Sequence, residues 1–545
     1  MSETVALPRI RVGEPRDEAV PSDRIVEFYE RQRVHVPLLF VLVAQSCIAL
    51  TLNNSAFIDE GCYLFAGHSE WSALFGGPTP PTDYPTYFSG SPYLYPLLGA
   101  IANSLGGLGA ARGLSLLFML GATVMLYRAT TLLFGRGAAV WSAALFALCG
   151  PALFMSHLAT FDAPAVFLLA AGLWFAIRSS GDKVLFLEAI VLLVLAAAFK
   201  YAALVYAVPV VAVAAICSIP KVGWRWAAVR GAVLGFLFLL LAFGLLCLAG
   251  QPTVSGLVST TLNRPLATNT TAQVARSSAV YIGFLFILGS IGALWFTLRA
   301  RRSTPAAATA APAQGHAQPP ARSGGPLVDG WSWKVRLLLA AVLLGSALIA
   351  PLGDMRLHTV TSLEKHAGYG LLLAAPMGGW LLDRLAGRSP WRTAPVLALV
   401  GALGAFGANQ AHEFFSEWIS STAYVQSAEG AIAQQKPGTQ ILIEDPWVLR
   451  YSMGDAGTKF AWNDTYSFAY TSDTGAKLTG LPAYQAAIAE QYFGVVLIDY
   501  QASAGIDGQL DQALATSGYQ RATVPSYSRR GWDDVEIWTP IGAVK

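Results

Sequence analysis

Eleven predominantly apolar runs dominate this chain, at 36–55, 110–132, 137–155, 163–178, 184–199, 202–219, 230–249, 279–298, 336–351, 367–383 and 393–411. A hydrocarbon core of about 30 Å takes about 20 such residues in a helix. The runs therefore predict a polytopic α-helical membrane protein with about eleven transmembrane helices. Composition agrees, because only 13% of the 545 residues are charged and mean hydropathy is +0.48. So few charges cannot cover a water-soluble surface, which argues against a soluble enzyme or a disordered chain. A net charge of +3 leaves no basic excess for nucleic acid, and none is expected as a partner. Five cysteines, scattered without C-x-x-C spacing, predict neither a disulfide framework nor a zinc site.

Arginine and lysine set the orientation. A polar tail at 1–35 with six arginines precedes the first run, and no small-residue cleavage site follows it, so that run is expected to stay as an anchor. With the N-terminus cytoplasmic, the inside connections carry Arg128 and Arg136, Lys221 and Arg225, Arg299 and Arg301, and Arg384 and Arg392. The opposite side holds 54–111, which has neither Lys nor Arg. An odd number of spans then puts 412–545 outside. This region carries 15 of the 33 acids, strand-like runs at 439–444 and 493–499 and a helical stretch at 482–491, and it is expected to be a small extracytoplasmic α/β domain. Within the membrane domain of 36–411, the Pro-, Ala- and Gly-rich segment 303–330 predicts a flexible cytoplasmic linker. The segment 93–108 is a candidate for a short extra span.

The chemistry gathers on the outer face. Asp59 and Glu60 follow the first span, where an acidic pair is costly unless solvated or used. The bland alternative is two solvated loop carboxylates; the functional one is a general base with an orienting partner. Asp162, in HLATFDAPAV, is either a helix N-cap or a second functional acid. Lys200, Lys365 and His366 lie in apolar surroundings and read either as snorkelling anchors or as ligands for a phosphate head group. Among the aromatics of the first outer segment, Tyr84, Tyr87 and Tyr93 are candidates for stacking on a sugar or acceptor, with an interfacial belt as the alternative. In the C-terminal region, Trp447, Trp462, Tyr466 and Tyr470 read as either glycan contacts or core.

The order of these features, Asp-Glu after the first span, then SPYLYPLLGAIANSLGGLGAARGLSLLFMLGATVMLYRATTLLFGR, CGPALFMSHLATFDAPAVFLLAAGLWFAI, FKYAAL and EKHAGYGLLLAAP, resembles the GT-C integral-membrane glycosyltransferases. Within them it is most similar to the branch of protein O-mannosyltransferases and lipid A aminoarabinose transferases. The resemblance covers roughly 36–383. It implies a sugar donor linked to polyprenyl phosphate, Asp59 at the catalytic centre with Glu60 completing the pair, Asp162 as the acid of the second outer loop, and Lys200, Lys365 and His366 near the lipid phosphate. Lys365-His366 stands where the family has arginine-tyrosine. The tail at 412–545 does not resemble the sugar-binding repeats of eukaryotic O-mannosyltransferases.

The expected reaction is transfer of a sugar to an acceptor hydroxyl of a glycan, lipid or protein, in one displacement with inversion, with Asp59 as general base. A carboxylate takes the acceptor proton while cations hold the leaving phosphate. The residues fix no cofactor and leave metal dependence open: clustered carboxylates beside a phosphate suit a divalent cation. The competing class is a secondary transporter or lipid flippase. Transporters place their charges near the midplane within broken helices, whereas these charges lie at helix ends on one face. A catalytically idle scaffold is the third class.

Overall fold

The computed structural model describes residues 36–181, 184–264, 266–302, 326–387, 389–416, 418, 422–473, 475–500, 504–528 and 531–542. The N-terminal tail at 1–35 and most of the linker expected at 303–330 lie outside the described residues.

All eleven apolar runs fall on helices. The first half comprises α1 (Val36–Thr51), α2 (Ile58–Leu74), the single turn α3 (Tyr84–Tyr87), α4 (Tyr95–Phe134), α5 (Arg136–Ala147), α6 (Gly150–Ser156), α7 (Asp162–Arg178) and α8 (Val184–Phe199). There follow α9 (Ala203–Ala249), α10 (Gln251–Leu257), α11 (Thr271–Arg302), α12 (Trp333–Gly345), α13 (Ile349–Leu357), α14 (Leu363–Ala386) and α15 (Pro390–Phe415). Runs and helices do not correspond one to one. The run 137–155 bends by 70° between α5 and α6. The runs 202–219 and 230–249 share α9, which breaks at Gly223, where φ is +76°. Among the described residues five helices are individually long and apolar enough to cross a bilayer, six if the bent pair counts as one.

The segment 93–108 is not a span. α4 breaks at Gly106 and Gly107, and its first part, Tyr95–Leu105, is only about 16 Å long at 1.5 Å per residue. It lies instead beside α2, with Trp71 Nε1 donating to the Leu97 carbonyl at 2.9 Å.

α14 is the centre of the helical body: Leu371, Leu372, Leu373, Ala374 and Ala375 are fully buried. Gly379 lets a neighbour come this close, since a Cβ there would stand 2.0 Å from Ser142 Oγ. Small residues at a helix contact are how helices in lipid gain packing without a hydrophobic driving force between them.

The C-terminal region begins with α16 (Thr422–Ala433), β1 (Gln440–Ile443), α17 (Trp447–Met453), β2 (Ala461–Asn463), β3 (Ala469–Thr471) and β4 (Lys477–Thr479). It continues with α18 (Leu481–Ala489), β5 (Phe493–Ile498), α19 (Ala504–Thr516), β6 (Tyr519–Ser528) and β7 (Gly531–Pro540). Five strands form one sheet in the order β2-β1-β5-β7-β6, with β2, β1 and β5 parallel and β7 and β6 antiparallel. Alternation along β1 and β5 decides the layers. Ile441, Ile443, Val495 and Leu497 pack against Ala428 and Ile432 of α16. Leu442, Val496 and Ile498 pack on the opposite face with Ala487 of α18 and Leu510 and Leu514 of α19. β3 and β4 form a separate two-stranded ribbon.

Candidate active site

Glu60 organises the turn that presents Asp59. It is the third residue of α2, and its carboxylate reaches back to accept from the backbone N–H of Phe57 at 2.8 Å, satisfying a helix-start donor. Arg112 of α4 grips the same carboxylate in a fork, Nε to Oε1 at 2.8 Å and Nη2 to Oε2 at 2.7 Å. The backbone N–H of Ala159 adds a fourth bond at 2.7 Å. Arg112 also donates to the carbonyls of Asn54 and Ser55, at 3.0 and 2.8 Å. Both side chains are buried, 0% and 3% exposed. A carboxylate so occupied has no lone pair left for a further donor.

Asp59 is different. Its side chain is 29% exposed and meets Lys365 Nζ at 2.5 Å. Lys365 is 1% exposed and also lies over the Phe57 ring at 5.3 Å. The expected phosphate ligand thus has its ammonium turned to the acid. It is held there by the first turn of α14, and Ser362, the N-cap just before that turn, has the left-handed φ of 66°. Strain of this kind at a non-glycine persists where surrounding contacts over-determine it.

Asp162 is fully buried as the first residue of α7. The N-cap alternative does not hold, because Phe161 occupies that position and no side chain caps the helix. Its carboxylate instead accepts from Thr160 Oγ1 at 3.1 Å and Tyr369 Oη at 3.2 Å, behind Lys200, Lys365 and His366.

Asp59 opens onto a cavity of about 460 Å³, whose wall also includes Lys200, Arg264, Asp354, His366 and Trp447. Lys200 sits in the break between α8 and α9. Its Nζ donates to Ser89 Oγ at 2.8 Å. Backbone bonds from Ser91 N to Ala198 O and from Tyr201 N to Ser89 O, both 2.9 Å, pin the first outer segment to this break. Gly90 permits the approach: a Cβ there would fall 2.0 Å from the Phe199 carbonyl oxygen. A volume in this range, mostly apolar with a few convergent polar groups, is that of a small-molecule site.

The tyrosines divide. Tyr87 lines the cavity. Tyr84 is fully buried against Phe88 at 5.2 Å and Trp447 at 6.3 Å, so it is packing and not a stacking face. Tyr93 is 51% exposed and is not part of the cavity wall. Of the C-terminal aromatics, Trp447 reaches the cavity, whereas Trp462 packs into the domain core and donates to the Gly457 carbonyl at 2.8 Å. Tyr466 is exposed, and Tyr470 bonds Glu490 on the surface. α17 carries Trp447 into place: Arg450 lies over the rings of Phe65 and Trp447 at 4.6 and 5.1 Å and ties this domain to α2.

A second cavity of about 310 Å³ shares Ile58 and Ser362 with the first and is lined by Glu364, Glu444, Asp445 and Asp499. Burial, opposed by the hydrogen bond from the Trp447 N–H and reinforced by the charges of Asp59, Asp464 and Glu444, pushes the Asp445 carboxyl up to about 7. No group of three or more His, Cys, Asp or Glu side chains placed to hold a metal ion occurs among the described residues, so the divalent cation considered above has no ligand set there.

Sequence reading passed over Arg112, Arg264 and Asp354. Arg112 lies inside the apolar run 110–132, Arg264 in the loop after α10, and Asp354 just after the run 336–351.

No family model matches the chain, and no curated protein matches it by sequence. Solved structures do. ArnT from Cupriavidus metallidurans in the apo state superposes over 93% of this chain and 98% of its own, with TM-score 0.54 at 13% identity. This chain shares its fold with ArnT. The same enzyme bound to undecaprenyl phosphate gives TM-score 0.51 at 12% identity, over 96% of this chain and 100% of that one. The oligosaccharyltransferase AglB from Archaeoglobus fulgidus, in complex with an inhibitory peptide and a dolichol-phosphate, gives 0.51 at 14% identity, over 91% of this chain and 74% of that one. The fold expected from the resemblance of 36–383 is therefore the fold found, extending through the C-terminal region.

Proposed function

We propose that this protein transfers a sugar from a polyprenyl-phosphate donor to an acceptor hydroxyl on the outer face of the membrane. The observation that carries the reading is Asp59, held by Lys365 at the edge of a cavity whose other walls bear Lys200, Arg264 and His366. The likeness in fold to enzymes solved with undecaprenyl phosphate and dolichol-phosphate supports it. The chain crosses the membrane eleven times in this reading, with the N-terminus cytoplasmic and 412–545 outside over the cavity.

In the transfer step the acceptor oxygen attacks the anomeric carbon while the bond from that carbon to the phosphate oxygen breaks, its electron pair leaving on the phosphate. The acceptor proton passes to Asp59. Attack opposite the leaving group inverts the anomeric centre. Lys200 and Arg264 offset the charge that develops on the phosphate, which a partly desolvated site rewards more than open water does. Lys365 orients Asp59; Glu60 and Arg112 hold its loop; Asp162 and Tyr369 back the cationic wall. The acceptor is a glycan, lipid or protein hydroxyl. Incubating purified protein with polyprenyl-phosphate sugars and an envelope extract as acceptor should release free polyprenyl phosphate. No release from any sugar of the panel would count against the reading.

A further inference from the structure

Two carboxylates line the cavity, Asp59 and Asp354. Asp59 is accounted for by Lys365; Asp354 is not. The residue is 4% exposed, it lines the cavity, and its buried Oδ2 has no hydrogen-bond partner. Burying a carboxylate oxygen without a donor costs stability, and such an atom in a native fold needs a reason.

The surroundings of Asp354 supply one. Ile349, Ala350, Gly353 and Leu357 of the same helix, α13, also line the cavity, so one helical face forms an apolar wall bearing a single carboxylate. A Cβ built on Gly353 would meet nothing within 4 Å, so there is open room next to the acid. The backbone is fixed where it stands: the Asp354 carbonyl accepts from Thr359 N at 3.1 Å, across a left-handed His358. Arg264 and Tyr206, on the same cavity, are the charged and titratable groups that act on it electrostatically.

Resting on the donor assignment above, we infer that Asp354 is the sugar-recognition residue of this cavity, its carboxylate accepting a hydrogen bond from an O–H or N–H of the donor's sugar while the donor phosphate lies toward Lys200 and Arg264. The ligand class is thus a glycosyl group presenting a hydrogen-bond donor to α13, either a hydroxyl or an ammonium. An empty site leaves the oxygen unpaired; a bound sugar pairs it. This is the arrangement in which an analogue lacking the group is rejected strongly, because the buried oxygen is again left without a donor.

The test compares dissociation constants of the full-length protein for undecaprenyl phosphate alone and for undecaprenyl phosphate carrying mannose, arabinofuranose or 4-amino-4-deoxyarabinose. Wild type should hold at least one sugar-bearing carrier about tenfold or more tighter than the bare carrier, as a hydrogen bond to a charged group implies. Asp354→Ala should erase that advantage and leave bare-carrier affinity unchanged. Asp354→Asn should keep most of it for a neutral sugar and lose it for the amino sugar, which separates hydroxyl from ammonium. The thermal midpoint of the empty Asp354→Ala protein should equal or exceed wild type, since an unpaired buried carboxylate has gone; if that variant does not fold, Asp354→Asn carries the comparison. An unchanged ratio in Asp354→Ala, equal loss of the bare carrier, or a wild type that gains nothing from any sugar would overturn the inference. Failure of wild type to bind the bare carrier would instead overturn the donor assignment.

Discussion

Two cavities meet at Ile58 and Ser362, and they differ in charge. One is lined by Lys200, Arg264 and His366 together with Asp59 and Asp354; the other by Glu364, Glu444, Asp445 and Asp499. The first draws its charges from loops and helix ends of the membrane body. The second is closed by the C-terminal sheet domain, which adds Glu444 at the end of β1 and Asp499 after β5. The first cavity offers cations as well as carboxylates to a ligand, whereas the charged lining residues of the second are acids. Ile58 and Ser362 belong to the linings of both and form the wall between them. Asp59 stands beside that wall, next in sequence to Ile58.

The largest expected effect comes from loosening the turn that carries Asp59. Glu60→Gln leaves Arg112 buried without its counter-charge, and breaking a buried pair in this way costs about 3–5 kcal/mol. Thermal unfolding should show the loss, and turnover should fall only as the folded fraction falls. A fully folded Glu60→Gln protein with abolished turnover would give Glu60 a chemical role.

Next come the two lysines, which sequence alone groups together and the structure separates. Lys200→Met removes a cation from the donor cavity, so the donor KM should rise by about ten- to a hundredfold. Lys365→Met frees Asp59 from its anchor, so kcat should fall more than KM rises. The same pattern in both variants would erase the distinction drawn between a phosphate contact and an orienting one.

The acidic cavity should show itself through pH. Asp445 titrates near 7 in the folded chain, against about 4 when unfolded, so between those values the folded state holds a proton that the unfolded state has released. Its contribution to stability is complete below about pH 4 and disappears as pH rises through about 7, by at most about 1.4 kcal/mol per unit. Asp445→Asn should flatten that slope in thermal midpoints taken at steps from pH 4.5 to 7.5. An unaltered slope would assign the dependence elsewhere.

How much of this was legible in the sequence follows from what each signal depends on. Hydrophobic length is local, so every apolar run lies on a helix, and β1 and β5 fall within the strand-like runs at 439–444 and 493–499. Breaks within helices are set by packing as well as by sequence. The 70° bend after Ala147 and the merging of two runs into α9 needed neighbours that no window of residues displays. Asp59 was visible because it is a charge just beyond an apolar run. Its anchor, 306 residues away, was visible only as a second isolated charge, and it was assigned to the phosphate because nothing in sequence says which charges meet. Arg112 was hidden inside an apolar run, and Asp354 follows one directly. Both become intelligible only when Glu60 is found saturated and Asp354 unpaired.

The central claim is that Asp59 takes the acceptor proton. Asp59→Asn keeps size and polarity but cannot accept it, and a positioned base contributes about 10²–10⁴-fold. In parallel assays on one preparation, polyprenyl-phosphate-sugar binding should stay close to wild type while release of polyprenyl phosphate falls by about 10²-fold or more. Near-normal release by the Asp59→Asn protein, with binding intact, would contradict the account and move the base to another residue of the cavity.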